Sequence, residues 1–463
     1  MNRALQHGIA RVRDGVQWRL RHVRRQWLAR VPHHSILYAT VRSALSRRAL
    51  PPGDRRSLAP EDGTDRTVIL RRAQQYGPIF SATSIDQFCV CITDLELGRQ
   101  LLTTHADALR PLTIDIAALV PGGFMRQMEG DTHRHYRKAL ARAVISSDLN
   151  AISGSLRVMV NTTLREYAST ASIHENAPTA LHAALTTTAT AMLVRLFFGV
   201  DEHDGAFASL MRAFRALGPA KMAWAVGATE QAAFTDLRAQ VRALVATRGM
   251  DVRNAGPPCI ASRLAAVDAL DDTMLGNLIY MVEMGRFDMS VFFGWLMRYA
   301  SAHSALLPLL AAERAASTDD TPNATAFVLE TLRRNQSDRL MRRAKHDIVF
   351  GQWLIPKFAL VRIGMWEAHH NGLSFPEPLL FSPSRFQSSD PRSDTFSPFG
   401  VDKHVCPFAQ VSMQLATIFL TTLAAGFEPT LFNDGPPVIG MFHWEPHPRS
   451  SVSLTARPPV LHE

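Results

Sequence analysis

The most constraining feature of the chain is a cysteine at the end of a proline- and glycine-rich loop, Ser397–Ala409. The apolar run that follows, Val411–Leu423, is typical of a buried helix. Pro407 suits the first turn of such a helix, where its missing N–H costs nothing, so Cys406 is expected at the positive end of the helix dipole. That position favours a thiolate, which is a nucleophile or a metal ligand. A cysteine taken alone is also compatible with a buried structural role.

The residues before Cys406 resemble the haem-binding loop of cytochrome P450 enzymes, F-x-x-G-x-[HR]-x-C-x-G, in Phe399, Gly400 and His404. In that family the cysteine is the axial thiolate of haem b, iron protoporphyrin IX. The resemblance therefore implies a haem bound through Cys406, with His404 contacting a haem propionate and Phe399 in the same loop.

Two positions of this loop depart from the family pattern. Asp402 stands where a second glycine is usual. Phe408 replaces a glycine that lets the backbone lie close under the porphyrin. The sequence therefore predicts extra room or a displaced helix beside Phe408.

A second stretch, which begins at Gly130 and opens a helix, resembles the C helix of the same family. There an aromatic residue or histidine, and an arginine four residues later, bind haem propionates. The matching residues here are His133 and Arg137, one turn apart on one helix face. A solvated basic helix face is the alternative for this pair.

Residues 274–300 form a long apolar run with little amphipathicity, which predicts a buried helix. The run occupies the place of the family's I helix, and Asp288 and Ser290 match its pattern. Met289 replaces the threonine whose hydroxyl helps to deliver protons, and a methionine has no proton to donate. We expect the substrate pocket to include five residues of the I helix and of an earlier loop: Ile116, Val120, Met284, Gly285 and Arg286. Arg286 is also a candidate ligand for a substrate carboxylate.

Glu330 and Arg333 stand at helical spacing, which by itself indicates only a surface ion pair. The segments that follow, through Phe375–Pro378 to Arg385-Phe386, are very similar in order to the stretch from the K helix onward in cytochromes P450. The resemblance implies that Glu330, Arg333 and Arg385 form a buried network behind the haem. It also implies that Arg342 reaches a propionate.

The resemblance covers residues 67–463 and implies one cytochrome P450-like haem domain. Its fold would be mainly α with small β-sheets (α+β), with the long central I helix over the haem. Before it, residues 1–31 are expected to form a basic amphipathic helix and residues 32–66 a linker.

The formal net charge of +9 is concentrated near the N-terminus, where residues 1–56 carry 13 arginines and two aspartates. This segment accounts for +11, which leaves −2 for the rest of the chain, so nucleic-acid binding by the body gains no support. The basic helix of residues 1–31 is compatible with a membrane surface, a protein partner or its own domain. With no run of 18 apolar residues, the sequence predicts a cytoplasmic protein, at most peripheral at the membrane.

The family chemistry implies an oxidoreductase, a monooxygenase that hydroxylates, epoxidises or oxidatively couples an apolar small molecule or specialised metabolite. A separate ferredoxin or flavoprotein reductase would supply electrons. Two alternatives stay open: a peroxide-using or isomerase-type haem-thiolate enzyme, which Met289 and Arg286 favour, and a haem-poor partner or activator of another enzyme, which Asp402 and Phe408 favour.

Overall fold

The structure is a computed structural model, and it describes most of the chain after residue 33. The described residues are 34–58, 64–84, 86–112, 119–120, 122–145, 149–171, 177–217, 226–250, 259–315, 321–336, 338–387, 395–440 and 443–457. The predicted N-terminal helix of residues 1–31 and the predicted pocket residue Ile116 lie outside these ranges.

The described residues cluster into two compact units. The first takes its residues from the chain before residue 60, from Thr67–Pro111 and from Leu340–Gly364. Its helices and strands are α1 (Ile36–Ser46), α2 (Val68–Tyr76), β1 (Ile79–Ser84), β2 (Gln87–Ile92), α3 (Leu95–Thr104), β3 (Leu109–Pro111), β4 (Arg339–Ala344), β5 (Ile348–Phe350), β6 (Trp353–Ile355) and β7 (Leu360–Gly364).

A five-stranded sheet of order β1-β2-β7-β4-β3 is the centre of the first unit. Strands β1 and β2 form an antiparallel hairpin, whereas β2 runs parallel to β7 with Val90 opposite Val361. Both β2 and β7 are almost wholly buried, as expected of parallel strands covered on both faces. Cys89 and Cys91 have no exposed surface and pack in this core.

Helix α1 lies within residues 32–66, which the sequence analysis assigned to a linker, and this part of the assignment is corrected. The Ser35 side chain caps the helix by accepting the backbone N–H of Tyr38 at 3.1 Å. Tyr38 is buried, with its ring 5.9 Å from that of Phe358, and Arg42 pairs with Asp347. The helix is therefore part of the first unit.

The second unit contains most of the helices. Its elements are α4 (Gly130–Ile145), α5 (Asn150–Ala171), α6 (Ala177–Phe198), α7 (Phe207–Ala216), α8 (Ala228–Met250), α9 (Ile260–Ala265), α10 (Asp272–Ala302), α11 (Leu307–Ala315), α12 (Pro322–Thr331), α13 (Met365–His369), α14 (Ala409–Gly426), β8 (Phe427–Phe432), β9 (Val438–Ile439), β10 (Trp444–Glu445) and β11 (Ser451–Ala456). A π-helical segment, Leu332–Gln336, continues α12. The predicted class, mainly α with small sheets, is confirmed.

Helix α10 runs through the core of the second unit for 31 residues. It begins where the Asp271 carboxylate accepts the backbone N–H of Met274 at 2.7 Å. Helices α6 and α14 pack against it, and its Phe293 ring stacks on Phe419 of α14 with centroids 4.1 Å apart. Apolar residues all round α10 are thereby buried, as its low amphipathicity predicts.

Two helices within the described ranges are long and apolar enough to cross a membrane, Pro178–Phe198 and Ala409–Gly426. About two thirds of the first (67%) and more than half of the second (56%) are buried inside the protein. Both are packed as core helices of the second unit.

Candidate haem-thiolate site

The loop before α14 holds Cys406 by backbone hydrogen bonds. The Cys406 N–H donates to the carbonyl of Phe399 at 2.9 Å, and the Val405 N–H donates to the carbonyl of Asp402 at 2.9 Å. Gly400 has a φ of +103°, a conformation that disfavours other residues. Helix α14 begins at Ala409, so Pro407 lies in a turn before the helix and not in its first turn as expected.

The Cys406 thiol keeps a partly exposed side chain, yet its sulfur is desolvated, which raises its pKa to about 11. The backbone N–H of Phe408 and the charges of Arg137 and Arg126 act in the opposite direction. The expectation that the helix start alone favours a thiolate is therefore not met, because burial outweighs it. A bound metal ion would remove the proton, as it does from any coordinating thiol.

Phe408 immediately precedes α14, with φ −108° and ψ 19°. A residue other than glycine adopts these angles readily, so the backbone here does not require glycine. Its ring turns to Phe197 on α6, with centroids 4.9 Å apart. Asp402, the other departure from the family pattern, accepts the His404 N–H on Oδ1 at 2.8 Å and so stabilises the turn.

Histidines from two distant segments meet beside this loop. The ring of His133 on α4 lies 4.4 Å from that of His404. Burial, with the nearby His404, Arg137 and Lys403, lowers the pKa of His133 to about 4, so it is neutral near pH 7. His404 places Nε2 3.2 Å from the carbonyl of Met128, while its buried Nδ1 has no hydrogen-bond partner among the described residues.

Arg137 and Arg126 both interact electrostatically with the Cys406 sulfur. Neither has a carboxylate partner within the described ranges. Arg137 follows His133 by one turn of α4, and burial lowers the pKa of its guanidinium. Arg126, in a short 3₁₀ turn before α4, was not predicted as a site residue. Its sequence neighbourhood carries no motif, and only its position in the fold identifies it.

These residues fit a haem. Iron protoporphyrin needs a soft anionic ligand for the metal and cations for its two propionates. Cys406 supplies the sulfur, Arg137 is partly buried without a carboxylate partner in the described chain, and the buried His404 Nδ1 makes no hydrogen bond there, with Asp402 Oδ2 3.7 Å away. Arg342 belongs to the first unit, where it is buried and donates to the carbonyl of Met341 at 2.9 Å.

The three predicted catalytic residues of α10 differ in their surroundings. Asp288 Oδ1 lies 2.6 Å from Nε2 of His443, a residue that the sequence analysis did not single out. Met289 is buried in the core. Ser290 donates its hydroxyl proton to the carbonyl of Phe287 at 2.9 Å, within its own helix.

Arg286 was expected in the pocket as a ligand for a substrate carboxylate, and the structure corrects this. Its guanidinium pairs with the buried carboxylate of Glu283 through contacts of 2.8 and 2.7 Å. It also donates to the carbonyl of Phe214, near the end of α7, at 2.9 Å. The side chain is buried, and its Nε and Nη2 groups are hydrogen-bonded, so it ties α10 to the end of α7.

The other predicted pocket residues in the described ranges pack closely. Val120 is fully buried, and its side chain would be 3.2 Å from a Cβ added at Gly276 of α10. A Cβ at Gly285 would meet Leu193 of α6 at 3.2 Å, so this glycine permits close helix packing. Met284 is partly buried against the same core.

The structure brings Glu330, Arg333 and Arg385 together. The Glu330 carboxylate accepts two hydrogen bonds from Arg333, at 2.7 and 2.8 Å, and lies 3.5 Å from Nε of Arg385. The backbone N–H of Ser382 adds a bond of 2.9 Å. Arg333 also donates to the carbonyls of His369 and of two later residues, Pro378 and Leu380. A buried ion pair needs such complete hydrogen bonding to be tolerated.

Comparisons with known proteins agree with this site. The family model described as Cytochrome P450 matches residues 315–443, which include Glu330 and Cys406. Abscisic acid 8'-hydroxylase 1 of Oryza sativa is 24% identical over 358 residues, 73% of this chain and 74% of that protein. Ent-kaurenoic acid oxidase 1 of Hordeum vulgare is 26% identical over 378 residues, 74% of each chain.

Solved structures show the same fold. The retinoic-acid-bound cyanobacterial CYP120A1 aligns with a TM-score of 0.68 and 17% identity, over 89% of this chain and all of that one. A zebra fish cytochrome P450 with progesterone aligns with a TM-score of 0.65 and 17% identity, over 84% and 98%. With the family model and the curated relatives, these findings lead to one conclusion: the chain has the fold of the cytochromes P450, and its residues 315–443 match the model of that family.

Proposed function

We propose that this protein is a haem-thiolate monooxygenase acting on an apolar or amphipathic small molecule. The observation that carries the proposal is the Cys406 sulfur, which its loop holds by backbone hydrogen bonds and which interacts with the charge of Arg137 on α4. The relatives support it, because their names describe a hydroxylase and an oxidase of small organic acids.

The chain's own residues would divide the work as follows. Cys406 would ligate the iron, while Arg137, His133 and His404 would face the propionates. When bound, haem supplies the oxidising chemistry, and the protein supplies the ligand, the binding pocket and the substrate orientation. The network of Glu330 would hold the segment behind the haem.

A peroxide-using or isomerase-type enzyme is the second candidate. One observation favours it: the position of the usual threonine is Met289, and the hydroxyl of Ser290 is bonded within its own helix. The third candidate, a haem-poor partner protein, is less favoured, because Phe408 finds space against Phe197 and Asp402 stabilises the loop.

Electrons would come from a separate ferredoxin or flavoprotein reductase. Lys403, exposed on the cysteine loop, is a candidate contact for an acidic donor surface. We place the protein in the cytoplasm, with residues 1–31 as a candidate contact to a membrane surface or to another protein.

The deciding experiment compares the wild-type chain with Cys406→Ala. The purified wild type should bind haem, and its reduced, carbon-monoxide-bound form should give the red-shifted band of thiolate ligation. Cys406→Ala should lose that band, whereas Cys259→Ser, a matched change at another buried free cysteine, should keep it.

Product assays then separate the candidates. Product formed with dioxygen and an electron donor supports monooxygenation, and product formed only with peroxide selects the second candidate. A wild-type chain that binds no haem would overturn both enzymatic assignments.

A further inference from the structure

A short polar contact joins Asp288 of α10 to His443, a residue far along the chain. Nε2 of His443 lies 2.6 Å from Oδ1 of Asp288, and the imidazole ring packs on Phe287. The His443 side chain is mostly buried (17% exposed), whereas that of Asp288 is 45% exposed. A hydrogen bond between a carboxylate and an imidazole of this length is of the strong, charge-assisted kind.

The segment that carries His443 is anchored on the same helix. It precedes β10 of the β9–β10 hairpin, and the Trp295 indole N–H donates to the carbonyl of Trp444 at 3.0 Å. Asp288 and Trp295 are seven residues apart, so they lie two turns apart on one face of α10. Pro446 also lies beside Gly294 of α10, with its side chain 3.5 Å from the position that a Cβ would take. The hairpin therefore fixes the position of the imidazole.

Asp288 is also coupled to the cysteine site. Its negative charge is one of the causes that raise the pKa of the Cys406 thiol. The carboxylate thus contacts the anchored imidazole and interacts electrostatically with the cysteine of the proposed haem site. At the next residue, where the family usually has a hydroxyl, Met289 offers no proton.

Further titratable groups extend from His443 towards the surface. Glu445 interacts electrostatically with His443 and with His182, an exposed residue of α6. A Cβ added at Gly440 would lie 1.9 Å from Oε1 of Glu445, so only glycine leaves room for this carboxylate. Burial raises the pKa of Glu445 and favours its proton-bearing form.

We propose that His443 is a positioning residue that holds a proton on Nε2 against Asp288 and so replaces the missing hydroxyl at Met289. This inference rests on the proposed monooxygenase function. The Nε2–H group of His443 gives its proton to Oδ1 of Asp288, Asp288 passes a proton on towards the haem site, and the ring regains a proton from the side of Glu445 and His182. One proton moves inward and no electrons are exchanged.

The test uses His443→Gln in the haem-loaded full chain. The glutamine amide can still donate a hydrogen bond to Asp288 but cannot pass a proton on, so it separates positioning from proton supply. We expect turnover to fall about 100-fold, in the range typical of a lost general acid. We also expect more of the electrons consumed to appear as peroxide.

Asp288→Asn provides a second variant that leaves Trp295 and the hairpin anchor untouched. Nuclear magnetic resonance of histidine-¹⁵N-labelled protein gives a readout that does not depend on activity. The wild type should show a downfield Nε2–H resonance that is absent from both variants. The matched control is His203→Gln, in an exposed pair with Glu202 at 3.8 Å, which should change nothing.

The outcomes separate this inference from the proposed function. If the reduced, carbon-monoxide-bound wild type lacks the red-shifted band of thiolate ligation, the proposed function is wrong, whatever the variants do. If the band is present and His443→Gln retains wild-type turnover and peroxide release, the imidazole only pins the hairpin, and the inference is overturned. A missing downfield resonance in the wild type would overturn it as well.

Discussion

His369 is a fully buried imidazole whose Nε2 accepts the backbone N–H of Ser397 at 3.0 Å. Its Nδ1 has no hydrogen-bond partner in the described part of the chain. Burial, with the positive charges of Arg333 and Arg66, lowers the pKa of this side chain to about 3. The folded protein therefore keeps His369 neutral in mild acid.

We predict a loss of stability in mild acid from this residue. The unfolded chain takes up the His369 proton near pH 6.5, whereas the folded chain does not until about pH 3. Because the unfolded state then binds more protons, stability falls as the pH drops, by about 2 kcal/mol between pH 6.5 and 5. Urea unfolding at several pH values measures this slope.

The matched variant is His369→Gln, which keeps a polar side chain but does not titrate. Its stability should depend on pH with a shallower slope between pH 6.5 and 5. Equal slopes in the variant and the wild type would show that His369 is not the group responsible.

Single residues also show where sequence reasoning stopped. Cys406, His404 and His133 could be named because each belongs to a short pattern, and the rings of His133 and His404 lie 4.4 Å apart. The contact of Asp288 with His443 spans 155 residues and follows no pattern. For Arg286 a ligand role was expected, because nothing in the sequence shows that the side chain is buried in an ion pair with Glu283, one turn earlier.

Helix α12 and the π-helical segment after it form the element that carries the Glu330 network. Neither Glu330 nor Arg333 has any exposed surface, so the charge of each side chain is stabilised by the opposite charge of the other. Glu330→Gln should lower the free energy of unfolding by about 3–5 kcal/mol, since it leaves a buried guanidinium without a counter-charge. Calorimetry or denaturant unfolding of the haem-loaded chain measures the loss.

An exposed ion pair of the same spacing provides the control. Arg134 and Asp131 pair on the surface of α4, and Arg134→Gln should cost at most about 1 kcal/mol. If Glu330→Gln were as mild as Arg134→Gln, the network would not stabilise the fold.

Elements differ in how far the sequence predicts them. The apolar run 274–300 located α10 to within two residues at each end, because a helix apolar on all sides is buried along its whole length. Helix α1 was missed because few of its side chains are buried, and its place depends on Phe358, more than 300 residues away. The start of α14 was misplaced because a proline fits a turn as well as a first helical position.

At the scale of the whole molecule, positive charge is concentrated at one end. Residues 1–31 carry eight arginines and one aspartate. We predict that the full chain binds vesicles containing anionic lipid and that a chain lacking residues 1–31 binds them far less. Each arginine near such a surface contributes about 1 kcal/mol, and the attraction weakens with salt.

Vesicle co-sedimentation at two salt concentrations measures this difference. A chain with the eight arginines changed to glutamine, but with its apolar residues kept, separates charge from hydrophobic insertion. Equal vesicle binding by the full and the shortened chain would show that residues 1–31 do not bind the membrane surface. The segment would then contact its own domain or a protein partner.

The fold class could be predicted because an ordered series of motifs resembles those of a known family, and the resemblance implies that family's fold. The sheet of the first unit did not, since its central pairing joins β2 to β7 across most of the chain. No local pattern specifies a partner at that distance.

That pairing also governs how the protein can be made. Roughly 270 residues separate β2 from β7, and a ribosome adding ~5–20 residues per second needs ~15–50 s to produce them. Throughout that interval the apolar edge of the nascent β1–β2 hairpin is available to wrong partners. A holdase chaperone that covers this edge during synthesis should therefore increase the yield of folded protein. The gain should be larger when translation is slow, because the edge then stays exposed for longer.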